Sequence, residues 1–149
     1  MSYSIDVNLL LYASTGASPY HAPASAFLKE CSAGREVFCL AWPTLMAYLR
    51  MSTNPAIVSP PLSPAQAMDN ISSLVELPHV RLLSEQDGFW EVYREITGGL
   101  VVRGNLVPDA HLAALLRQHG VDTLYTNDDD FRRFSFLRIK NPVADKRRR

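Results

Sequence analysis

The chain is poor in several features that mark particular classes of protein. It has only two cysteines, Cys31 and Cys39, each in an apolar stretch, so we expect buried free thiols in a reducing compartment. No apolar run approaches the roughly 20 residues that span a bilayer. The N-terminus lacks a basic region and Asp6 interrupts its apolar run, which argues against a secretory signal. The sequence therefore predicts a cytoplasmic protein with no membrane partner.

An excess of charge of either sign is also missing. Fifteen Lys and Arg balance fifteen Asp and Glu, but four of the cations stand together in Lys146–Arg149. The preceding body is therefore acidic, by about four charges, and attracts nucleic acid only weakly unless local cations or a metal ion hold the phosphates. We expect one domain over residues 1–142, since typical domains have about 100–200 residues, and a solvated basic tail over 143–149.

Strand-like and helix-like patterns alternate along the chain. Short apolar runs predict strands over residues 3–5, 36–40, 80–83, 123–125 and 137–139. Helical spacing of apolar residues predicts helices over residues 7–13, 21–33, 43–51, 64–75, 85–97 and 107–119. This order indicates an α/β fold, a three-layer α/β/α sandwich with a mostly parallel central sheet of four or five strands. We assign Trp90 and Tyr93, in the fifth helix, to the core or a dimer interface.

Aspartates from three distant segments fall where a strand ends or a helix begins. Asp6 follows the first strand, Asp128 follows the strand over 123–125, and Asp109 lies in the first turn of the most buried helix. Because ligands of such folds bind at the carboxyl ends of the strands, we expect these carboxylates to converge. Each one alone is explained by a helix cap, the helix dipole or a solvated turn. Together, beside buried segments, they favour a bound cation.

A Mg²⁺ ion uses one or two carboxylates together with waters and substrate phosphate, so Asp6, Asp109 and Asp128 suffice as ligands. Asp130 is a further candidate ligand, and Mn²⁺ is the alternative ion. Such a site would polarise a phosphate and activate a water for in-line attack. The sequence therefore predicts hydrolysis of a phosphate ester, with the first three aspartates as catalytic residues.

The sequence gives weaker indications of a role in the site for other polar side chains. Three residues are candidates for holding the carboxylates or waters in place, namely Asn8, Thr126 and Asn127. Arg50 is the first candidate for a phosphate clamp, with Arg132 and Arg133 behind it. The four histidines lack metal-ligand spacing, so we expect structural roles for them. Serine-nucleophile, phosphate-loop and zinc signatures are absent.

Five segments, in order, give the chain a family resemblance: Ile5–Leu10, Leu49–Pro55, Gly104–Leu115, Thr126–Phe131 and Phe134–Pro142. The chain resembles PIN-domain ribonucleases of the VapC toxin type over nearly its whole length. The resemblance implies a PIN-like fold and an RNA endonuclease that uses Mg²⁺ or Mn²⁺. It also implies a homodimer that a cognate antitoxin neutralises.

One position departs from this family pattern. Such proteins usually carry a glutamate on the helix after the second strand, and Ala47 is the best match for it here. No Asp or Glu occurs from Val37 through Met68, so local realignment does not supply one. Either Asp128 and Asp130 together replace the missing ligand, or the metal is held more weakly.

A non-catalytic module that binds RNA or an antitoxin is therefore the alternative function. A third possibility is another acid-dependent α/β protein, but Asp6–Asn8 lacks the paired aspartates of a phosphatase, and the acidic pair with a late lysine that marks a receiver domain is not evident.

Overall fold

Five parallel strands form the centre of the molecule. The structure is a computed structural model that describes residues 1–144. The strands are β1 (Ser2–Ile5), β2 (Val37–Ala41), β3 (Val80–Leu83), β4 (Thr123–Tyr125) and β5 (Arg138–Lys140). Their order in the sheet is β3-β2-β1-β4-β5, and every neighbouring pair is parallel. Strands β2 and β3 are thus added on one side of β1, and strands β4 and β5 are added on its other side.

Six α-helices and one 3-10 helix connect and cover these strands. They are α1 (Val7–Ser14), α2 (His21–Ala33), α3 (Trp42–Ser52), α4 (Pro64–Val75), α5 (Phe89–Thr97), α6 (Leu106–Gln118) and the 3-10 helix Asp129–Arg133. The sequence determines several of their ends. For example, Ser63 and Gln66 form a reciprocal capping box at the start of α4.

Two apolar cores lie on opposite faces of the sheet. Alternation along β2 shows the division, since Phe38 and Leu40 enter one core while Cys39 and Ala41 enter the other. Helices α1 to α4 cover the first face, and α6, with α5 packed beside it, covers the second. The predicted α/β/α sandwich with a parallel sheet is confirmed. Within the described chain, no helix combines the length and the apolar character needed to cross a membrane.

Three local features differ from the sequence prediction. Helix α5 begins at Phe89 rather than residue 85, because Gly88 adopts a left-handed conformation (φ 83°) and the Gln86 amide donates to Gln118 Oε1. Of the two roles predicted for Trp90, the core is wrong, because Trp90 is 62% exposed and stacks on Tyr93, which packs partly against the second core; the dimer interface stays a prediction. The 3-10 helix after Asp128 was not predicted.

The cysteine prediction is confirmed, since Cys31 and Cys39 are both free and buried. The predicted basic tail over 143–149 lies mostly outside the described residues. Its first residue, Val143, is buried in the first core rather than solvated, so the body extends at least that far along the chain.

The strand order fixes where a ligand can bind. Strands β1 and β4 are neighbours, but the connections from them run to opposite sides of the sheet. A crevice opens at the carboxyl ends of strands at such a reversal. Asp6 directly follows β1, and Thr126 directly follows β4. The fold therefore brings the two most distant predicted site segments to the same crevice.

Candidate metal centre

Asp6 is the buried acid of the crevice. It caps the N-terminus of α1, where Oδ1 accepts a hydrogen bond from the Val7 amide at 2.7 Å. Its other oxygen, Oδ2, accepts from Thr126 Oγ1 at 2.8 Å. Burial raises the pKa of the Asp6 carboxyl, the two hydrogen bonds oppose this, and the negative charge of Asp128 adds to it. Both oxygens are therefore held in fixed directions.

The loop after β4 presents two further carboxylates. Asp128 donates its backbone N–H to Thr126 Oγ1 at 2.9 Å, so Thr126 joins this loop to Asp6. Asp128 also caps the 3-10 helix, with Oδ1 accepting from the Asp130 amide at 2.9 Å. Asp130 is exposed and lies 3.8 Å from Arg133 Nη2. The short helix thus folds the aspartate run back so that alternate carboxylates, those of Asp128 and Asp130, approach each other.

Asp109 completes the group from α6, the helix that covers the second face of the sheet. It lies in the first turn of α6, a helix whose next turns are buried, and is itself half-buried. Its pKa is raised to about 7, first by burial and then by the charges of Asp6, Asp128 and Asp130. The charges of Asp6, Asp128 and Asp130 thus all disfavour ionisation of Asp109, and Arg133, 3.8 Å from Asp130, offsets only part of this negative charge.

Three of these carboxylates form a close group. One oxygen each from Asp109, Asp128 and Asp130 lies within 4.8 Å of the other two. Oxygens bound to one octahedral Mg²⁺ ion lie about 3–4 Å apart, so small side-chain rotations would close this group around an ion. The donors are all oxygens, which suits Mg²⁺ or Mn²⁺ rather than a soft metal. The residues present therefore fit a hard divalent cation, and Asp6 neighbours this group rather than belonging to it.

The comparisons with known proteins agree with this fold. The family model of the PIN domain matches residues 3–137. The chain belongs to the PIN-domain family. It is 44% identical over 144 residues to Ribonuclease VapC48 of Mycobacterium tuberculosis, which covers 97% of this chain and 99% of that relative. It is also 36% identical over 142 residues to Ribonuclease VapC24 of the same organism, covering 95% and 97%. The predicted VapC-type resemblance is confirmed.

Solved structures share the PIN fold at low identity. VapBC2 from Rickettsia felis, bound to a DNA fragment from their promoter, matches with a TM-score of 0.65 and 18% identity over 95% of this chain and 98% of that one. VapC20 from Mycobacterium tuberculosis, described as a sarcin–ricin loop cleaving toxin, matches with a TM-score of 0.64 and 15% identity, covering 87% and 92%. At such identities the likeness concerns the fold.

The three residues predicted to support the carboxylates differ in their hydrogen bonds. Thr126 does hold a carboxylate, that of Asp6. The Asn127 side chain is bonded to Tyr12 and Asn141 rather than directly to a carboxylate, and its supporting role stays a prediction. Asn8 Oδ1 is buried and accepts no hydrogen bond from the described residues.

The predicted phosphate-binding arginines differ in their availability. Arg50 is exposed in the last turn of α3 and forms no ion pair within residues 1–144. Arg132 donates to Asp129 at 3.1 Å and Arg133 lies beside Asp130, so both are engaged with acids of the 3-10 helix. Arg50 therefore stays the first candidate for a phosphate contact.

The sequence analysis did not predict two polar residues that lie near the site. Asn141 follows β5, just as Asp6 follows β1 and Thr126 follows β4, and it bonds to Asn127. Its place after a parallel strand is the signal that would have identified it. Tyr12, in the middle of α1, carries no such signal because its apolar neighbours suggest an ordinary core residue.

Proposed function

We propose that this protein is a divalent-metal-dependent endoribonuclease, a toxin that a cognate antitoxin neutralises. The observation that carries the proposal is the close group of oxygens from Asp109, Asp128 and Asp130 beside the buried Asp6. The relatives named as ribonucleases, and the solved VapBC complex that shares the fold, support the RNA substrate and the antitoxin partner. A homodimer, which the family resemblance implies, is part of the same proposal.

The chain would bind the ion through Asp109, Asp128 and Asp130, with Asp6 adding negative charge from its buried position. When bound, a divalent cation supplies Lewis-acid polarisation of the scissile phosphate and a more acidic water. Mn²⁺ should support activity better than Mg²⁺, because it tolerates less ideal geometry and binds such ligands at least as well.

The residues of the protein would position the ligands, control their protonation and contact the RNA. Thr126 keeps the Asp6 carboxylate turned toward the crevice, and the cap of the 3-10 helix holds Asp128 beside Asp130. Asp109 must lose its proton before it binds a cation, and its raised pKa makes that step sensitive to pH near neutrality. Arg50, exposed and free of acidic partners within the described chain, is our candidate for a contact with the RNA backbone.

The missing family glutamate does not remove the basis for catalysis. Ala47 offers no oxygen, but Asp130 brings a third carboxylate to the close group. One or two carboxylates suffice for Mg²⁺ when substrate phosphate and waters complete the shell. This favours a catalytic protein over the alternative of a purely binding module.

The test is cleavage of tRNA and structured RNA by purified protein free of antitoxin. We expect cleavage with Mn²⁺, none in excess EDTA, and none by Asp109→Asn or Asp6→Asn, which preserve shape and remove charge. Asp69→Asn is the matched control, because Asp69 is an exposed aspartate on α4 in the described structure. Full activity in EDTA, or undiminished activity in both site variants, would contradict the mechanism. Binding of RNA or of the antitoxin without any cleavage would favour the binding module instead.

A further inference from the structure

A series of hydrogen bonds connects the loop that carries Asp128 to α1 and to the segment after β5. The Val143 backbone N–H donates to Asn141 Oδ1 at 3.0 Å, and Asn141 Nδ2 donates to Asn127 Oδ1 at 2.7 Å. Asn127 Nδ2 in turn donates to the Tyr12 hydroxyl at 3.3 Å. In both asparagines the amide oxygen faces the Val143 end of the series and the amide nitrogen faces the Tyr12 end. Because a backbone N–H can only donate, the first bond fixes the orientation of both amides.

The two ends of this series of hydrogen bonds pack against the first core. Val143 is 5% exposed and belongs to the first core, while Tyr12 lies on α1, the helix that Asp6 caps. The loop after β4 is thereby attached to α1 at two points. Thr126 binds Asp6 at the N-terminus of the helix, and Asn127 binds Tyr12 six residues further along.

We propose that Asn127 and Asn141 are positioning residues that hold Asp128 and Asp130 at the spacing a divalent cation requires. This inference rests on the proposed metal-dependent function. Neither amide touches the carboxylates of the close group; both act through the backbone of the loop. Without the second attachment, the loop could rotate about its Thr126–Asp6 bond and move the Asp128 carboxylate away from Asp109. Outer partners that hydrogen-bond directly to metal ligands commonly contribute about 10–100-fold to metal affinity, so residues that act through the loop backbone should contribute toward the lower end of that range.

The structure offers a chemically matched control elsewhere. Asn70 Nδ2 donates to the Tyr48 hydroxyl at 2.9 Å, the same kind of bond, between α4 and α3. Neither residue belongs to the group of acids. Asn70→Ala therefore deletes an equivalent asparagine–tyrosine bond without touching the loop after β4.

The experiment compares Asn141→Ala, Tyr12→Phe and Asn70→Ala in two assays. The first measures hydrogen exchange of metal-free protein in EDTA, following the amides of Asp128 and Asp130, which donate to Thr126 Oγ1 and Asp128 Oδ1. The second measures Mn²⁺ binding by calorimetry. We expect Asn141→Ala to speed exchange of these two amides selectively and to weaken Mn²⁺ about tenfold. Tyr12→Phe should change both in the same direction, and Asn70→Ala should change neither.

Cleavage assays add a readout that a general loss of stability would not produce. In Asn141→Ala, the Mn²⁺ concentration that gives half-maximal cleavage should rise about tenfold, whereas a smaller folded fraction would lower cleavage at every Mn²⁺ concentration alike. Unchanged exchange and Mn²⁺ binding in both Asn141→Ala and Tyr12→Phe would overturn the inference, as would equal losses in Asn70→Ala. If wild type binds Mn²⁺ but cleaves no RNA, the proposed function fails while the exchange and binding results still decide the positioning role.

Discussion

Removing the charge of Asp109 should stabilise the metal-free protein. The raised pKa of about 7 means that the folded state resists ionisation of this carboxyl, whose ordinary value is 3.8. Between about pH 4 and pH 7 the folded protein keeps a proton that the unfolded chain has lost. Folding stability therefore falls as pH rises through this window and stays reduced above it. Asp109→Asn avoids the loss, because the amide carries no charge at any pH.

The structure bounds the size of the effect. The full difference between the two pKa values corresponds to at most about 4 kcal/mol. Asp109 is half-buried, so water and salt screen much of its repulsion with the other acids, and we expect about 1–2 kcal/mol. For a chain of 149 residues this raises Tm by about 2–8 °C.

The assay is thermal unfolding of wild type and Asp109→Asn in EDTA at pH 4 and pH 8. We expect the variant to be more stable at pH 8 and equal to wild type at pH 4, with Asp69→Asn unchanged at both. Added Mn²⁺ should reverse the order at pH 8, because only wild type keeps all its ligands and ligand binding stabilises the folded state. A variant that gains nothing at pH 8, or gains equally at pH 4, would refute the repulsion within the site.

Three further predictions concern metal binding and are measured by calorimetric titration with Mn²⁺. Affinity should rise with pH by up to tenfold per unit until about pH 7, because Asp109 must lose its proton to bind; a flat profile between pH 5.5 and 7 would contradict this. Thr126→Val should weaken binding about tenfold by freeing the Asp6 carboxylate, and an unchanged constant would exclude that role. Ala47→Glu should tighten binding if its side chain enters the crevice, since it adds one charge and one oxygen donor; equal or weaker binding would reject either the alignment or the three-acid site.

Much of the fold could be predicted because local signals and tertiary packing agree. The helices His21–Ala33 and Pro64–Val75 have the predicted bounds. Alternation of strands and helices was sufficient to predict a parallel sheet. Helix α5 was predicted too long because the left-handed conformation of Gly88 and the bond from Gln86 to Gln118 depend on tertiary contacts.

The site was partly predictable for a similar reason. Asp6, Asp109 and Asp128 could be chosen as candidates from their places beside strand ends and in a helix start, which the order of elements along the chain indicates. The close approach of Asp130 depends on the 3-10 helix, whose five residues carry no strong periodicity. The partners of Asn127 could not be inferred, because side-chain direction within an irregular loop is set by Tyr12 and Asn141, which come from distant parts of the chain.

The most direct test of the central claim is anomalous diffraction from crystals soaked in Mn²⁺. We expect one strong manganese peak among the carboxylates of Asp109, Asp128 and Asp130, with Asp6 bordering it, and no such peak in Asp109→Asn. A fully soaked wild-type crystal with no peak there, or with manganese bound only at a different group of residues, would contradict the assignment of this cluster as the metal centre.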